Sequence, residues 1–308
     1  MIVSISYNYA AESISKQDLS DKCALIMRYG HYISCDSKTR LFICNTIKEY
    51  GSKTQSDLML IYKGFDITQE CRTYLTTIDL AVYSQDLQKL IELPSEILIE
   101  NAPYEWDLYK LLPEIYKHDS QFKNMFALLS KAMKCNHIVP FHGGGFNQYH
   151  LLLQQKDSSS YANVYQMKCC AIFDRDTDDA VSFSPKKNSL FHFLCGKKAE
   201  QMNDTDVYTL KQPGGWTWHM WYKRAVENYF PKEKYLELGV NVNEAETSAY
   251  GYDYYNIGNI HGYKKNMVTD LSHRMSRADF EKKAKHFNVK GVQMSEIQLL
   301  LLKFVKLI

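Results

Sequence analysis

No Cys-x-x-Cys pair occurs in the 308 residues, although eight cysteines are present. Cys23, Cys35, Cys44, Cys71, Cys135, Cys169, Cys170 and Cys195 therefore supply no zinc-type spacing. A chain of this length needs no disulfide framework to hold a core. No apolar run approaches the roughly 18 residues of a membrane helix, so no membrane is expected as a partner. The segment Met1–Ser6 lacks a basic stretch followed by an apolar core, which argues against a secretory signal and for a reducing cytoplasm. Net charge is scarce too: 37 basic against 35 acidic residues leave +2. That balance neither favours nor excludes a nucleic-acid partner, because local patches decide. Internal repeats and low-complexity segments are also missing.

What is present is a concentration of acids. Ala171-Ile172-Phe173-Asp174-Arg175-Asp176-Thr177-Asp178-Asp179 ends an apolar run from Val164 to Phe173 with four carboxylates in six positions. The run reads as a buried strand. Carboxylates this close repel and are raised in pKa unless a cation neutralises them. Period-two alternation along a strand would set Asp174 and Asp176 on one side, suited to Mg²⁺ (or Mn²⁺) with its oxygen ligands and open water positions. An acidic surface loop is the plainer alternative.

Residues 1–92 read as a separate α/β module of unknown role. Helical periodicity covers Leu19 to Ile33 and Thr39 to Tyr50, with Asp18 or Ser20 as a cap, and Leu58–Tyr62 is a short strand. A break at Glu92-Leu93-Pro94-Ser95 opens a second region, 93–308. There Glu96–Asn101 is a strand ending at Glu100, and Tyr104–Tyr116 a helix with Trp106, Tyr109, Leu111, Leu112 and Ile115 inward. His137–His142 is a strand followed by Gly143-Gly144-Gly145, Phe146–Gln155 a helix, and Val164–Phe173 the third strand. Alternation of this kind predicts a Rossmann-like parallel α/β sheet with functional groups at the carboxyl ends of its strands. Further on, Ser189–Cys195 is a helix or strand, and Val207–Leu210 an edge strand. Helices are expected around Lys223–Tyr229, Lys264–Met275, Phe280–Phe287 and Gln293–Ile308, which makes the C-terminal part helical. Trp216, Trp218, Trp221 and Tyr222 read as core or interface, with base stacking as the alternative. The last helix reads as part of its own core, with partner docking as the alternative.

Glu100, the glycine turn and the Asp174-x-Asp176 pair, in this order and strand context, resemble the Toprim domain of topoisomerases, primases and OLD-family nucleases. The likeness spans about residues 95–290 and is nearest to the Toprim effector subunits of anti-phage defence systems. Trp221–Phe230 is similar to the helix that follows the Asp pair in those nucleases, which implies Glu227 as a further ligand. Gly262-Tyr263-Lys264-Lys265-Asn266 lies where they often carry a catalytic lysine. The resemblance implies a Mg²⁺-dependent endonuclease acting on DNA or RNA, tRNA included. Glu100, Asp174, Asp176 and Glu227 would hold the metal, with Asp178 in reserve. Gly143, Gly144 and Gly145 would contact phosphate, and Lys264 or Lys265 would offset charge developing there. A regulating partner ATPase is implied as well; a homodimer is compatible with the sequence, which does not fix the oligomeric state. The family often has glycine after the first glutamate, where this chain has Asn101 and Ala102.

Two other functions fit parts of this pattern. Phe173-Asp174-Arg175-Asp176-Thr177 also matches the haloacid-dehalogenase-like phosphatase signature, with Asp174 as nucleophile. That signature normally sits on a fold's first strand, whereas two strands precede it here. A Toprim-like module that only binds nucleic acid or a partner protein is the non-catalytic option.

Overall fold

The computed structural model describes residues 1–51, 63–144, 146–212 and 214–308. The expected strand at Leu58–Tyr62 lies outside the described residues, as does Gly145. The chain divides into two units, Met1–Pro94 with Lys306–Ile308, and Ser95–Val305.

In the first unit β1 (Ile2–Ser4), β2 (Tyr32–Ser34) and β3 (Thr77–Asp79) form a parallel sheet in the order β2-β1-β3. Helices Lys16–Arg28 and Ser37–Tyr50 pack against each other. Leu19, Cys23 and Ile26 of the first and Ile43 and Ile47 of the second are buried. The first helix is capped by Ser15, whose Oγ accepts from the Asp18 N–H at 3.1 Å, rather than by Asp18 or Ser20. It ends at Arg28, five residues short of the expected end, because Gly30 at φ 77° turns the chain into β2.

The second unit is built on a four-stranded, wholly parallel sheet in the order β5-β4-β6-β7, comprising β4 (Ser95–Ile99), β5 (Ile138–His142), β6 (Cys169–Phe173) and β7 (Thr217–Met220). The composition of β6 and β5 suits their places in this order. All five residues of Cys169–Phe173 are buried, the continuous apolar pattern of an interior parallel strand. β5 carries Pro140, which lacks a ladder donor and is tolerated at a sheet edge. The opposite edge, β7, is shielded by side chains. The Trp218 N–H donates to Gln212 Oε1 at 2.8 Å, and Lys303 Nζ donates to the Trp218 carbonyl at 2.7 Å.

Several expectations change here. Ala162–Lys168 is helical, so the apolar run is a helix leading into a five-residue strand. Periodicity cannot separate the two over so short a stretch. Val207–Leu210 is no strand; a short helix, Asp204–Val207, stands there. Thr217–Met220, for which the sequence predicts no element within its aromatic stretch, is the fourth strand. Its aromatics are core: Trp218 stacks on Phe173 at 5.9 Å between ring centroids. The C-terminal part is not wholly helical. His286–Val289 and Val292–Ser295 pair as an antiparallel hairpin, β8 and β9, before helix Glu296–Val305. Every residue of that helix is buried, so its apolar surface belongs to this unit's own core.

From β4 the chain crosses to β5 on one side and then returns past β4 to β6 on the other. The connections after β4 and β6 thus leave in opposite directions, and in a parallel α/β sheet of this order that reversal marks the carboxyl ends of β4 and β6 as the place for a crevice.

Candidate functional site

Glu100 directly follows β4 and Asp174 directly follows β6, so the two acids flank this crevice. Glu227 arrives from beyond β7, on a one-turn 3-10 segment, Val226–Tyr229, rather than on the expected helix. The loops after β6 and β7 are tied together through one carbonyl: the Arg175 and Asp176 N–H groups both donate to the Arg224 carbonyl, at 2.9 and 3.0 Å. The Val226 N–H then donates to Asp174 Oδ1 at 3.2 Å.

The acids act on one another. Burial pushes Asp174 well above the usual carboxylate range, and the charges of Glu100, Glu227, Asp176 and Glu105 add to the rise. Burial likewise raises Glu100; Asp176 and Glu227 add to the effect while Lys187 and Lys265 oppose it. Two buried carboxylate oxygens, Glu100 Oε1 and Glu227 Oε2, have no hydrogen-bond partner. Glu227 Oε1 accepts from the Tyr263 hydroxyl at 3.1 Å.

Asp176 reaches this group by a different route from the expected one. The strand ends at Phe173, and Asp176 adopts a left-handed conformation with φ 57°. A turn, not strand alternation, therefore sets it beside the others, and Lys187 Nζ bonds its Oδ2 at 2.5 Å. Asp178 is turned away into an ion pair with Arg224. Asp179 caps the loop, its Oδ1 accepting from the Val181 and Ser182 N–H groups at 2.7 and 2.6 Å. Neither belongs to the cluster.

Gly143 and Gly144 follow β5, and Gly143 is not open to a ligand. The Gly143 N–H is bonded to the Ile99 carbonyl at 2.8 Å, which removes it as a phosphate donor. What Gly143 satisfies is space, since a Cβ there would lie 2.4 Å from the Tyr149 ring. Gly144 takes φ 68°. Of the two lysines, Lys265 exerts its charge on Glu100 and Glu105. Lys264 is exposed.

Three participants were not legible beforehand. Glu105, on helix Ala102–Tyr116, is raised to about 7 by burial and by Glu227, while the Asn101 side chain opposes the rise. Its spacing from Glu100 was the available signal, since the helix starts two residues after Glu100. Lys187 is fully buried against Asp176. Arg175, also fully buried, donates from Nε to the Ser182 carbonyl at 3.1 Å and from Nη2 to the Ala180 carbonyl at 2.8 Å. It thereby fixes the loop from which the acids project.

Among the described residues, no group of three or more His, Cys, Asp or Glu side chains is arranged to hold a metal ion. The donor chemistry is nonetheless that of a hard cation: carboxylates only, two with an unpartnered buried oxygen. Among the described residues no helix is long and apolar enough to cross a membrane. No family model, no curated protein and no solved structure matches this chain.

Proposed function

We propose that the second unit is a divalent-cation-dependent phosphodiesterase of the Toprim kind, cutting nucleic acid. The observation that carries this reading is the meeting of Glu100 and Asp174, at the ends of β4 and β6, with Glu227 from the segment beyond β7: burial raises both Glu100 and Asp174, and the charge of Glu227 adds to each rise. Folded proteins avoid burying mutually repelling carboxylates unless a cation or a proton is meant to join them. Glu100, Asp174, Asp176 and Glu227 would hold Mg²⁺ or Mn²⁺. Bound there, the metal would stabilise the attacking and leaving oxygens of an in-line displacement. Lys265 adds positive charge on the same side. Glu105, with a pKa of about 7, is the member of the set fitted to take a proton at neutral pH. The substrate class, whether DNA, tRNA or other RNA, and control by a partner ATPase in a defence system extend this proposal through the family resemblance.

The test is cleavage of plasmid DNA and of total tRNA in Mg²⁺ or Mn²⁺, comparing wild type with Glu100→Gln and Asp174→Asn, each with and without any neighbouring ATPase. Metal-dependent cutting should fall by at least about 10²-fold in both variants. Hydrolysis of a small phosphomonoester that needs Asp174 but not Glu100 would overturn the reading in favour of a phosphatase.

A further inference from the structure

An ammonium group buried in the second unit has a place in the chemistry that the acids alone do not explain. Lys187 closes the 3-10 turn Pro185–Lys187 and precedes helix Asn188–Cys195. Its side chain is fully buried, whereas most lysines carry their charge to water. Nζ lies 2.5 Å from Asp176 Oδ2 and 5.7 Å from the centroid of the Phe173 ring, at the end of β6. Its charge is the largest one opposing the rise in Glu100. One ammonium thus serves acids from the ends of two strands, β4 and β6. Desolvating it is costly, and partners must repay that cost. Asp176 keeps two-fifths of its side chain exposed, so the carboxylate it offers to Lys187 is also open to an ion arriving from solvent.

We propose that Lys187 is an internal counter-ion that the divalent cation displaces from Asp176. It is a positioning residue: it holds the Asp174–Asp176 turn in its left-handed form while no cation is bound, and it weakens cation binding by competing for the same carboxylate. This rests on the reading of the acids as a cation site. Replacing the ammonium by an apolar chain of similar length removes a competing unit charge a few ångströms from the ligands, an effect large enough for roughly tenfold tighter binding.

The experiment is titration calorimetry with Mn²⁺ and with Mg²⁺ on the full chain, wild type, Lys187→Met and Lys187→Arg. Lys187→Met is expected to bind about tenfold more tightly, and Lys187→Arg, which keeps the charge, to stay near wild type. A purely supporting role for Lys187 predicts the opposite, weaker binding in Lys187→Met as the turn loosens. If wild type binds and Lys187→Met binds equally or less tightly, the counter-ion proposal fails while the cation site stands. If none of the three proteins binds either ion, both fall. Should Lys187→Met not fold, ¹⁵N NMR of the lysine ammonium groups in wild type decides, with the Lys187 signal assigned by its loss in Lys187→Arg. The signal should shift on saturation with Mg²⁺, and a fixed signal overturns the proposal.

Discussion

Asp174 and Asp178 sit four positions apart and have opposite surroundings. Asp174 is pressed among Glu100, Glu227 and Asp176, with one oxygen held by the Val226 N–H. Asp178 faces water and Arg224. Changing Asp174 to Asn keeps the acceptor for Val226 and removes a charge that burial penalises. Asp174→Asn is therefore expected to raise the metal-free melting temperature by about 2–4 °C, the response to roughly 1 kcal/mol in a unit of this size. It should also abolish any stabilisation by Mg²⁺. Asp178→Asn should leave the Mg²⁺-induced shift intact, because an exposed pair contributes about 0–1 kcal/mol. Thermal melts with Mg²⁺ and with chelator measure both, and a Mg²⁺ shift that survives in Asp174→Asn would remove that residue from the site. The sequence made these acids visible as a group but not separable. What divides them is the turn at Asp176 and the pinning of Arg175 by carbonyls at 180 and 182, neither of which spacing encodes.

Among the elements, the setting of Asp174 depends on how closely the chain after β5 approaches β4. Gly143 follows β5, bonds back to Ile99 of β4, and leaves room for Tyr149. The Tyr149 hydroxyl in turn donates to the Ile172 carbonyl of β6 at 2.8 Å. One glycine thus lets a side chain from helix Phe146–Asp157 brace the strand that carries Asp174. A methyl group at Gly143 would meet two ring atoms at 2.4 and 2.9 Å and the Ile99 carbonyl oxygen at 3.1 Å. The buried ring cannot swing aside freely. Gly143→Ala should cost about 2 kcal/mol in urea unfolding through overpacking. A loss below about 0.5 kcal/mol would mean that Tyr149 does not brace β6. The glycine run was visible in the sequence and suggested phosphate contact; the structure gives its first member a steric role instead.

Taken whole, the second unit carries a further buried polar network, joined to the loops of the acids through Tyr222 and Tyr229. Glu296 accepts from the Tyr222 N–H at 2.7 Å and from the Tyr229 hydroxyl, and lies 3.2 Å from His219 Nε2. Lys303 Nζ stands 3.5 Å from His219 Nδ1 and donates to the Val207 and Trp218 carbonyls at 2.8 and 2.7 Å. An ammonium can only donate, so Nδ1 accepts and Nε2–H donates to Glu296, with the imidazole neutral. This agrees with burial and Lys303 lowering His219. Burial raises Glu296 from 4.5 to about 7. A carboxyl that holds its proton more tightly when folded contributes stability that is complete below about 4.5 and lost as pH rises through about 7. The urea midpoint of wild type should fall between about pH 5 and about pH 8 by more than that of Glu296→Gln. Equal falls in the two proteins would place the pH dependence elsewhere.

The order of strands, helices, glycine turn and strand-end acids could be read from the chain because each depends on near neighbours: alternation, apolar runs, and breaks at glycine and proline. So could the parallel α/β class, which follows from strands alternating with helices. The tertiary structure alone decided which side of β4 receives β6, and with it that Glu100 and Asp174 share a crevice. It also revealed β7, whose Thr217–Met220 run is too short and too aromatic to stand out among the tryptophans around it. Glu105, Lys187 and Arg175 entered for the same physical reason. Burial and charge coupling are properties of what surrounds a residue in space, and Lys187 meets Asp176 only because a turn and a helix start bring eleven residues of chain back upon themselves.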